Sequence, residues 1–547
     1  MEDARKLKRV AIIGAGPSGL TACKHALSKG FRPVVFEAAD GVGGVWTRTL
    51  ASTKLQTPAA AFRFSDFPWP ADVTTAAELP RSDQVAAYMA AYARQFGVLE
   101  RVRFGAKVVA AKYVGAPERE VAAWERWSGN GEAFGDGTGE WHLTVEEHTA
   151  GRSSEHTTST HQQVLYKFDF LILCVGRYGV AKLPTFPEGR GPEVFKGRVL
   201  HSMDYSRMPH ADADELIRGK RVVVVGSGKS GVDTVAQCAQ ANGTKHPCTL
   251  VYRTAAWMLD PNLTLGASLG TLLNSRLAQL MVHKPEEGFA LWLLAAVLSP
   301  IGWVVAKVTE AYYRALMPIG KHGTVPDHGL SASMFSWRFG LLPDGFYGMV
   351  DDGSVVLKRC GGGSSSLLGF CADGLLLLDD ADGEAGERVD ADVVILATGF
   401  DADRLLSGVF VSPWFQEMVA AGATMLPLYR HCVHPRIPQM AVVGYAESAA
   451  SIYPYEMMAK WVAHLLDGAV RLPSVAAMER SVAEWERWGR WAKRRGGAVF
   501  LKSCIATITT WYHDQLCRDM GYSTARKGGL LAEWLQPYGP TDYASIL

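Results

Sequence analysis

Short apolar runs recur along the chain and predict buried strands of a parallel sheet. Two of these runs, Val10 to Ile13 and Pro33 to Glu37, enclose a helix-like stretch from Leu20 to Ser28. A strand, a helix and a second strand within about thirty residues form one βαβ unit. The same pattern returns later in the chain, with a strand at Val222 to Val225, a helix at Ser230 to Ala241 and a strand CTLVY at 248–252.

Two further apolar runs indicate how the domains are organised. Residues 168–175 (FDFLILCV) and 390–396 (DADVVIL) predict buried strands that bracket the second βαβ unit. We therefore expect an α/β fold with two dinucleotide-binding Rossmann-like domains, the second inserted into the first. The expected boundaries are 1–180 and 396–547 for the two parts of the outer domain, the latter with C-terminal helices, and 181–395 for the inserted domain. An apolar helical insert is expected near 258–345, and the Gly-, Ser-, Thr- and Glu-rich region 115–165 predicts meander strands rather than a core.

The first βαβ unit carries a complete dinucleotide-binding motif. Gly14 permits a tight turn, Gly16 lets the backbone approach a pyrophosphate, and Gly19 lets the helix pack close to the sheet, with Pro17 and Ser18 between them. Glu37 ends the second strand, where an acid accepts ribose hydroxyls and would repel a 2′-phosphate. A second cluster follows at Gly43-Gly44-Val45-Trp46. It predicts another close approach to an extended cofactor, which favours FAD.

The second unit repeats the glycines but changes the residue that reads the ribose. Gly226, Gly228 and Gly231 match the phosphate motif, with Lys229 and Ser230 inside it. Arg253 stands just after the second strand, where an acid would favour NAD. An arginine there can pair with the 2′-phosphate, so the second site predicts NADPH.

Composition narrows the class of protein. The chain has 547 residues with 56 Lys and Arg against 55 Asp and Glu, a net charge of +1, so no global field favours nucleic acid. Nine cysteines contain no CxxC pair, which indicates reduced thiols. The N-terminal residues include no apolar signal-peptide core, and we expect a cytoplasmic protein. No cluster of His, Cys or acids has metal-ligand spacing, so no metal site is predicted.

One uncharged segment complicates the cytoplasmic prediction. Residues 289–306 (FALWLLAAVLSPIGWVVA) are close to a membrane-spanning length. Because Ser299, Pro300 and Gly302 interrupt the segment, we expect a buried helical hairpin. Peripheral contact with a membrane, such as that of the endoplasmic reticulum, is the alternative.

A longer motif precedes the second glycine loop. Phe195-Lys-Gly197-Arg-Val-Leu-His201-Ser-Met-Asp-Tyr205 fits FxGxxxHxxxY and resembles the identifying motif of flavin-containing monooxygenases. GGVW at 43–46, SDFPWP at 65–70 and ATGF at 397–400 are similar to segments of the same family. Residues 53–57, 64–70, 201–205 and 425–440 resemble the plant subgroup that includes N-hydroxypipecolic acid synthase.

The resemblance implies a function and several roles. NADPH would reduce FAD, and a flavin C4a-hydroperoxide formed with O2 would oxygenate a nitrogen or a sulfur. It implies that Gln56 lies beside the flavin, at a position where animal and yeast members carry Asn and the plant subgroup carries Gln. It also implies that His201 shapes the interdomain turn or acts in catalysis, and that Thr398 and Gly399 contact a cofactor. We expect N-oxygenation of a small amine or amino acid such as pipecolic acid, with a role in plant defence. Arg430 and Arg436 are expected to be structural, and the alternative is that they pair with the carboxylate of the substrate.

Several alternatives stay open. An S-oxygenating or a decarboxylating 2-oxo acid flavin monooxygenase would use the same cofactors. Tyr205, where Baeyer–Villiger enzymes typically carry Trp, argues against that class, and the missing CxxC argues against a disulfide reductase. A non-enzymatic flavin redox sensor is the alternative of another class, and the intact glycines at both sites argue against it.

Overall fold

The structure is a computed structural model. It describes residues 7–117 (apart from 72, 74, 76 and 77), 120, 131–135, 138–149, 160–263, 274–360, 368–377, 387–448, 452–497 and 500–547. Its strands are β1 Val10–Ile13, β2 Val34–Phe36, β3 Val102–Arg103, β4 Ala106–Val114, β5 Glu140–Thr149, β6 Thr160–Phe168, β7 Phe170–Leu173, β8 Arg198–His201, β9 Val222–Val225, β10 Cys248–Tyr252, β11 Trp257–Leu259, β12 Phe339–Leu341, β13 Val355–Arg359, β14 Leu368–Cys371, β15 Gly374–Leu377, β16 Arg388–Asp390, β17 Val393–Leu396 and β18 Met440–Val442.

The helices lie between these strands and after the last of them. In chain order they are α1 Pro17–Ser28, α2 Ser82–Gln95, α3 Ser202–Arg207, α4 His210–Ile217, α5 Lys229–Asn242, α6 Arg276–Leu280, α7 Phe289–Leu316, α8 Leu330–Ser336, α9 Phe346–Asp351, α10 Ala402–Ser407, α11 Pro413–Ala420, α12 Ile452–Asp467, α13 Val475–Gly496, α14 Thr509–Asp519 and α15 Leu530–Leu535.

Two five-stranded parallel sheets form the framework. The first has the order β18-β7-β1-β2-β3, and the second has the order β13-β10-β9-β17-β8. Every strand of the second sheet falls between β7 and β18 in the chain, so the chain leaves the first sheet, builds the second and returns. This topology confirms two Rossmann-like domains with one inserted into the other. The exact boundaries at 180 and 395 stay predictions.

Three smaller sheets complete the described structure. The strands β4, β5 and β6 form an antiparallel meander, as do β14, β15 and β16, while β11 and β12 form a parallel pair. The meander predicted for 115–165 is thus confirmed in its described part. The expectation that it carries no core is wrong, because Trp141, Leu143 and Val145 of β5 are fully buried. These apolar side chains alternate along the strand and pack on the outer face of the first sheet.

The apolar segment differs most from expectation. Instead of a buried hairpin, α7 is one continuous helix of 28 residues with Pro300 inside it. Most of its large apolar side chains face outward, as Phe289 (77% exposed), Val297 (64%) and Trp303 (59%) show. By its length and composition alone, this helix could cross a membrane.

Candidate functional site

The first glycine loop connects β1 to α1 in the geometry that a dinucleotide requires. Gly14 has a φ of +102°, and a Cβ there would lie 2.5 Å from the carbonyl oxygen of Cys174. A Cβ on Gly19 would lie 1.8 Å from the oxygen of Gly14. Gly16 is the N-cap of α1 and provides no side-chain cap, so the amides of the first helical turn are free for a phosphate.

The second loop repeats this geometry closely. Gly226 has a φ of +126°, and its Cβ would lie 2.3 Å from the oxygen of Ala397. A Cβ on Gly231 would lie 1.9 Å from the oxygen of Gly226. Gly228 caps α5 without a side chain, and a Cβ placed on it meets nothing within 4 Å. That open space is where the backbone can approach a pyrophosphate.

Glu37 holds the first loop in place. Its carboxylate accepts hydrogen bonds from the amide of Ala15 at 2.7 Å and from the amide of Ala39 at 2.9 Å. The acid therefore sits at the mouth of the glycine loop, where the resemblance places the adenosine ribose. It is a partly buried carboxylate with acceptor capacity left for hydroxyl groups.

The second glycine cluster packs directly on the first loop. The amide of Gly43 donates to the oxygen of Ala15 at 3.0 Å, and a Cβ on Gly16 would lie 3.5 Å from the Cα of Gly44. Val45 is exposed, whereas the Trp46 ring packs edge-on against Phe62 at 5.8 Å. The two glycine-rich segments thus form one continuous backbone surface.

Other predicted cofactor residues near the loops hold the backbone. Pro17 is the first residue of α1, and Ser18 behind it is buried against Gly444. The hydroxyl of Thr398 donates to the oxygen of Lys182 at 2.6 Å, and the oxygen of Gly399 accepts from the amide of Lys182. Thr398 and Gly399 therefore fix the crossover that connects the two domains.

The polar residues predicted for the second site differ in whether they are free to bind a phosphate. Arg253 is exposed and its side chain has no ion-pair partner among the described residues. Lys229 is instead committed to Asp233, with Nζ 2.6 Å from Oδ1. Ser230 lies exposed on the first turn of α5. Of these three residues, Arg253 has the free charge that a 2′-phosphate needs.

His201 and Tyr205 of the identifying motif are structural in their contacts. His201 caps α3, its Nδ1 accepting the amide of Met203 at 3.1 Å, and its ring packs against Phe400. Burial lowers the pKa of His201 below its ordinary value, so the ring is neutral at physiological pH. Tyr205 is buried in the core of the inserted domain.

A segment of the outer domain, Arg48–Gln56, lies across the inserted domain. Thr53 donates to Asp233 at 2.8 Å, and Lys54 pairs with Asp344 at 2.6 Å. Gln56 accepts the amide of Leu341 on β12 at 3.1 Å through its Oε1. Since Asp233 also holds Lys229, this segment connects the second glycine loop to the residue expected beside the flavin. None of these contacts involves a recognisable sequence motif.

Three side chains that sequence analysis missed lie close to one another, and the space between them adjoins β12, which Gln56 contacts. Tyr178 follows β7, Glu447 follows β18, and Arg338 precedes β12. The hydroxyl of Tyr178 lies 3.4 Å from Oε2 of Glu447. Tyr178 also packs against Phe400, which follows β17 of the second sheet. The carboxyl ends of strands from both parallel sheets therefore meet here, and open α/β sheets bind ligands at such an edge. We refer to this space as the cleft.

The two arginines expected to bind a carboxylate do not reach the cleft. Arg430 donates to both carboxylate oxygens of Asp519 and to Gln515. Arg436 donates to Glu479 at 2.6 Å. Each charge already has a partner within the C-terminal part of the chain, so both arginines are structural, as expected, and the alternative role as carboxylate partners is not supported.

Comparison with known proteins agrees with this site. The model of the FMO-like family, flavin-binding monooxygenase-like, matches residues 7–126 and 143–299. Probable flavin-containing monooxygenase 1 of Arabidopsis thaliana is 34% identical over 99% of this chain and 97% of its own length. Flavin-containing monooxygenase 5 of Homo sapiens is 24% identical over 87% of this chain and 76% of its own.

Solved structures show the same fold at low identity. A steroid monooxygenase bound to NADP aligns with a TM-score of 0.62 and 19% identity over 94% of this chain and 98% of its own. S-allyl-L-cysteine S-oxygenase from Allium sativum aligns with a TM-score of 0.53 and 18% identity over 94% and 89%. The open glycine loops fit the two dinucleotides that the family uses. The chain therefore belongs to the flavin-binding monooxygenase family, and it is an enzyme whose cofactors are FAD and NADPH.

Proposed function

We propose that this monooxygenase N-oxygenates a small amine or amino acid, with pipecolic acid as the leading candidate, in plant defence. The observation that carries the proposal is the cleft, where the unpaired guanidinium of Arg338 lies near the carboxylate of Glu447 and precedes the strand that Gln56 contacts. A cleft with charges of both signs suits a small zwitterion better than an apolar ketone, because a buried charge needs a partner.

The cofactors supply the redox chemistry, and the residues of the chain supply positioning. Bound FAD and NADPH provide hydride transfer and activation of O2. Glu37 and the glycine loop at 14–19 would hold the first dinucleotide, and Gly228 and Arg253 would hold the second. The Thr53–Asp233–Lys229 contacts connect the segment that contains Gln56 to the second glycine loop.

Gln56 and His201 have different roles in this proposal. Gln56 uses its oxygen to hold β12 and keeps two N–H donors for the flavin side of the cleft. His201 is a positioning residue, because it is buried, neutral and committed to the cap of α3. The substrate nitrogen must be uncharged to attack, so the rate of oxygenation rises with pH as the bound amine loses its proton.

The test is product analysis with a matched panel of substrates. Enzyme, NADPH and O2 are incubated with pipecolic acid, a thioether amino acid and a 2-oxo acid, and mass spectrometry follows the addition of one oxygen atom. We expect pipecolic acid to gain oxygen on nitrogen. Selective oxygenation of the thioether or loss of CO2 from the 2-oxo acid would replace the proposed substrate class.

The exposed helix α7 supports a peripheral contact with a membrane, with the enzyme on the cytoplasmic side of the endoplasmic reticulum as the proposed location. Its buried residues, among them Ala295, Ala306 and Tyr313, pack on the protein body, so the helix lies along the surface. The outward face carries Trp292 and Trp303, side chains that favour the interface of a bilayer. Contiguous apolar surface of this size marks an interaction site.

A further inference from the structure

Arg338 lies between two contacts that place it in the cleft. Its neighbour Trp337 packs against the small buried cluster of Cys504 and Ala506. Cys504 pairs through its backbone with Glu447. On the other side, β12 begins at Phe339, and a Cβ on Gly340 would lie 3.1 Å from Oε1 of Gln56. Arg338 is therefore held between Glu447 and the flavin-side residue Gln56.

The guanidinium of Arg338 is unused. It forms no hydrogen bond or ion pair with any residue in the part of the chain that the structure describes. The nearby Arg177 is instead buried, and its guanidinium donates to the backbone oxygens of Tyr445 and Lys502. Backbone carbonyl groups therefore satisfy Arg177, whereas the guanidinium of Arg338 has no partner among the described residues.

The surroundings of Arg338 enclose it without burying it. Its side chain is exposed, as is that of Tyr178 at 46%. Partial desolvation by the neighbouring residues nevertheless lowers the pKa of Arg338, and Arg177 lowers it further, whereas Tyr178 and Glu447 raise it. A side chain that is both reachable by solvent and partly desolvated lies in a recess rather than on the outer surface. Charge-assisted hydrogen bonds are strong in such a place.

We propose that Arg338 binds the carboxylate of the substrate, which makes this enzyme selective for amino acids over simple amines. The inference rests on the proposed N-oxygenation and deepens it by assigning the carboxylate site. The two N–H donors of the guanidinium fork match a carboxylate. Gln56 contacts Leu341, three residues after Arg338, so a carboxylate on Arg338 leaves the amine nitrogen toward the side of the cleft where Gln56 lies.

The experiment compares pipecolic acid with piperidine, which is the same ring without the carboxylate. The wild-type enzyme is expected to show the higher kcat/KM for pipecolic acid. Arg338→Met should lower kcat/KM for pipecolic acid about tenfold to a hundredfold, mostly through KM, and leave piperidine within about twofold. Arg480→Met, an exposed arginine on α13, is the matched control and should change neither.

Three results would overturn the assignment. An equal loss for both substrates would mean that Arg338 acts on the oxygen chemistry, and a raised KM for NADPH would place it in the coenzyme site. Recovery of pipecolic acid turnover in Arg338→Met/Glu447→Gln would mean that Arg338 only balances Glu447.

A binding titration separates this proposal from the proposed function. Pipecolic acid is titrated into the FAD-bound protein while the flavin absorbance is followed. Saturable binding that Arg338→Met weakens about tenfold or more supports the carboxylate site even if no nitrogen is oxygenated. Oxygenation of piperidine with no detectable binding of pipecolic acid would support N-oxygenation and refute the site.

Discussion

At the scale of single residues, Gly228 is a position where a side chain would affect the binding of the coenzyme but not the folding of the protein. Its backbone is extended (φ −74°, ψ 174°), and an added Cβ meets no protein atom within 4 Å. Gly228→Ala should therefore fold normally but raise the KM for NADPH at least about tenfold, equivalent to ~1.4 kcal/mol. Stopped-flow reduction of the flavin at several NADPH concentrations measures this.

A matched control exists for that glycine. Gly320 also has room for a Cβ and no positive φ, but it belongs to neither glycine loop. Gly320→Ala should leave both flavin reduction and the thermal midpoint unchanged. If Gly228→Ala behaves in the same way, the pyrophosphate does not approach at this position.

Gln56 can be tested by separating its acceptor from its donors. Gln56→Leu removes both, whereas Gln56→Glu keeps an oxygen for the amide of Leu341 and removes the N–H donors. If the donors serve oxygen transfer, both variants should reduce flavin normally and release more H2O2 per NADPH consumed. An uncoupled Gln56→Leu beside a coupled Gln56→Glu would show that the residue only positions β12.

Residues that carry a motif were predictable, and residues that act through tertiary contacts were not. Gly14 and Gly226 follow from spacing because the turn needs a positive φ. Arg338 stands in no motif, and only the fold shows that its guanidinium is unpaired among the described residues. Arg430 shows the reverse, since a conspicuous arginine in the sequence is paired with Asp519 in the fold.

At the scale of elements, the pattern of apolar residues predicted the parallel strands correctly but predicted a hairpin where α7 is one continuous helix. The parallel strands are short apolar runs buried on both faces, a pattern that identifies them directly. Pro300 was expected to break the apolar segment, yet the helix continues through it. The helix loses one backbone hydrogen bond at Pro300. This loss costs less free energy than breaking the helix, because buried residues of its later turns, such as Thr309 and Tyr313, pack on the protein body.

The exposed face of α7 gives the element-scale prediction. The protein should float with lipid vesicles in a density gradient, and Val297→Glu/Trp303→Glu should abolish flotation because both side chains project outward. Turnover of a soluble substrate should be retained. Leu165→Glu, a change at an exposed apolar position on β6, is the control that should still float. A wild-type protein that stays in solution as a dimer would show that a second copy covers this face.

At the scale of the whole molecule, topology was predictable because the chain must leave and re-enter the first sheet. The strand runs on either side of the second βαβ unit indicated an insertion, and the order β18-β7-β1 confirms it. The relative placement of the two domains was beyond the sequence. It depends on scattered polar contacts such as Thr53 with Asp233, which no local pattern encodes.

The interior of the outer domain also predicts how stability changes with pH. Burial lowers the pKa of His25 to about 4, and those of His431, His434 and His513 to about 3. A histidine in the unfolded chain has a pKa of ~6.5. At a pH between ~6.5 and the lowered pKa of the folded protein, the unfolded chain therefore binds protons that the folded protein does not bind. Stability is therefore greatest above about pH 6.5 and falls as the pH is lowered toward 4. Each histidine contributes up to about 1.4 kcal/mol per pH unit to this slope.

His431 is the histidine best suited to test this slope. It lies against Trp485 and Tyr512 in the left-handed region with a φ of 53°, a conformation that asparagine tolerates. His431→Asn should reduce the loss of unfolding free energy between pH 7.5 and 5.5, measured by denaturant titration of the FAD-bound protein. His210→Asn changes a side chain that is 79% exposed, and it should keep the full wild-type slope. A slope that survives His431→Asn would mean that the buried ring takes up its proton in the folded protein, which requires the pocket between Trp485 and Tyr512 to open to water above pH 5.5.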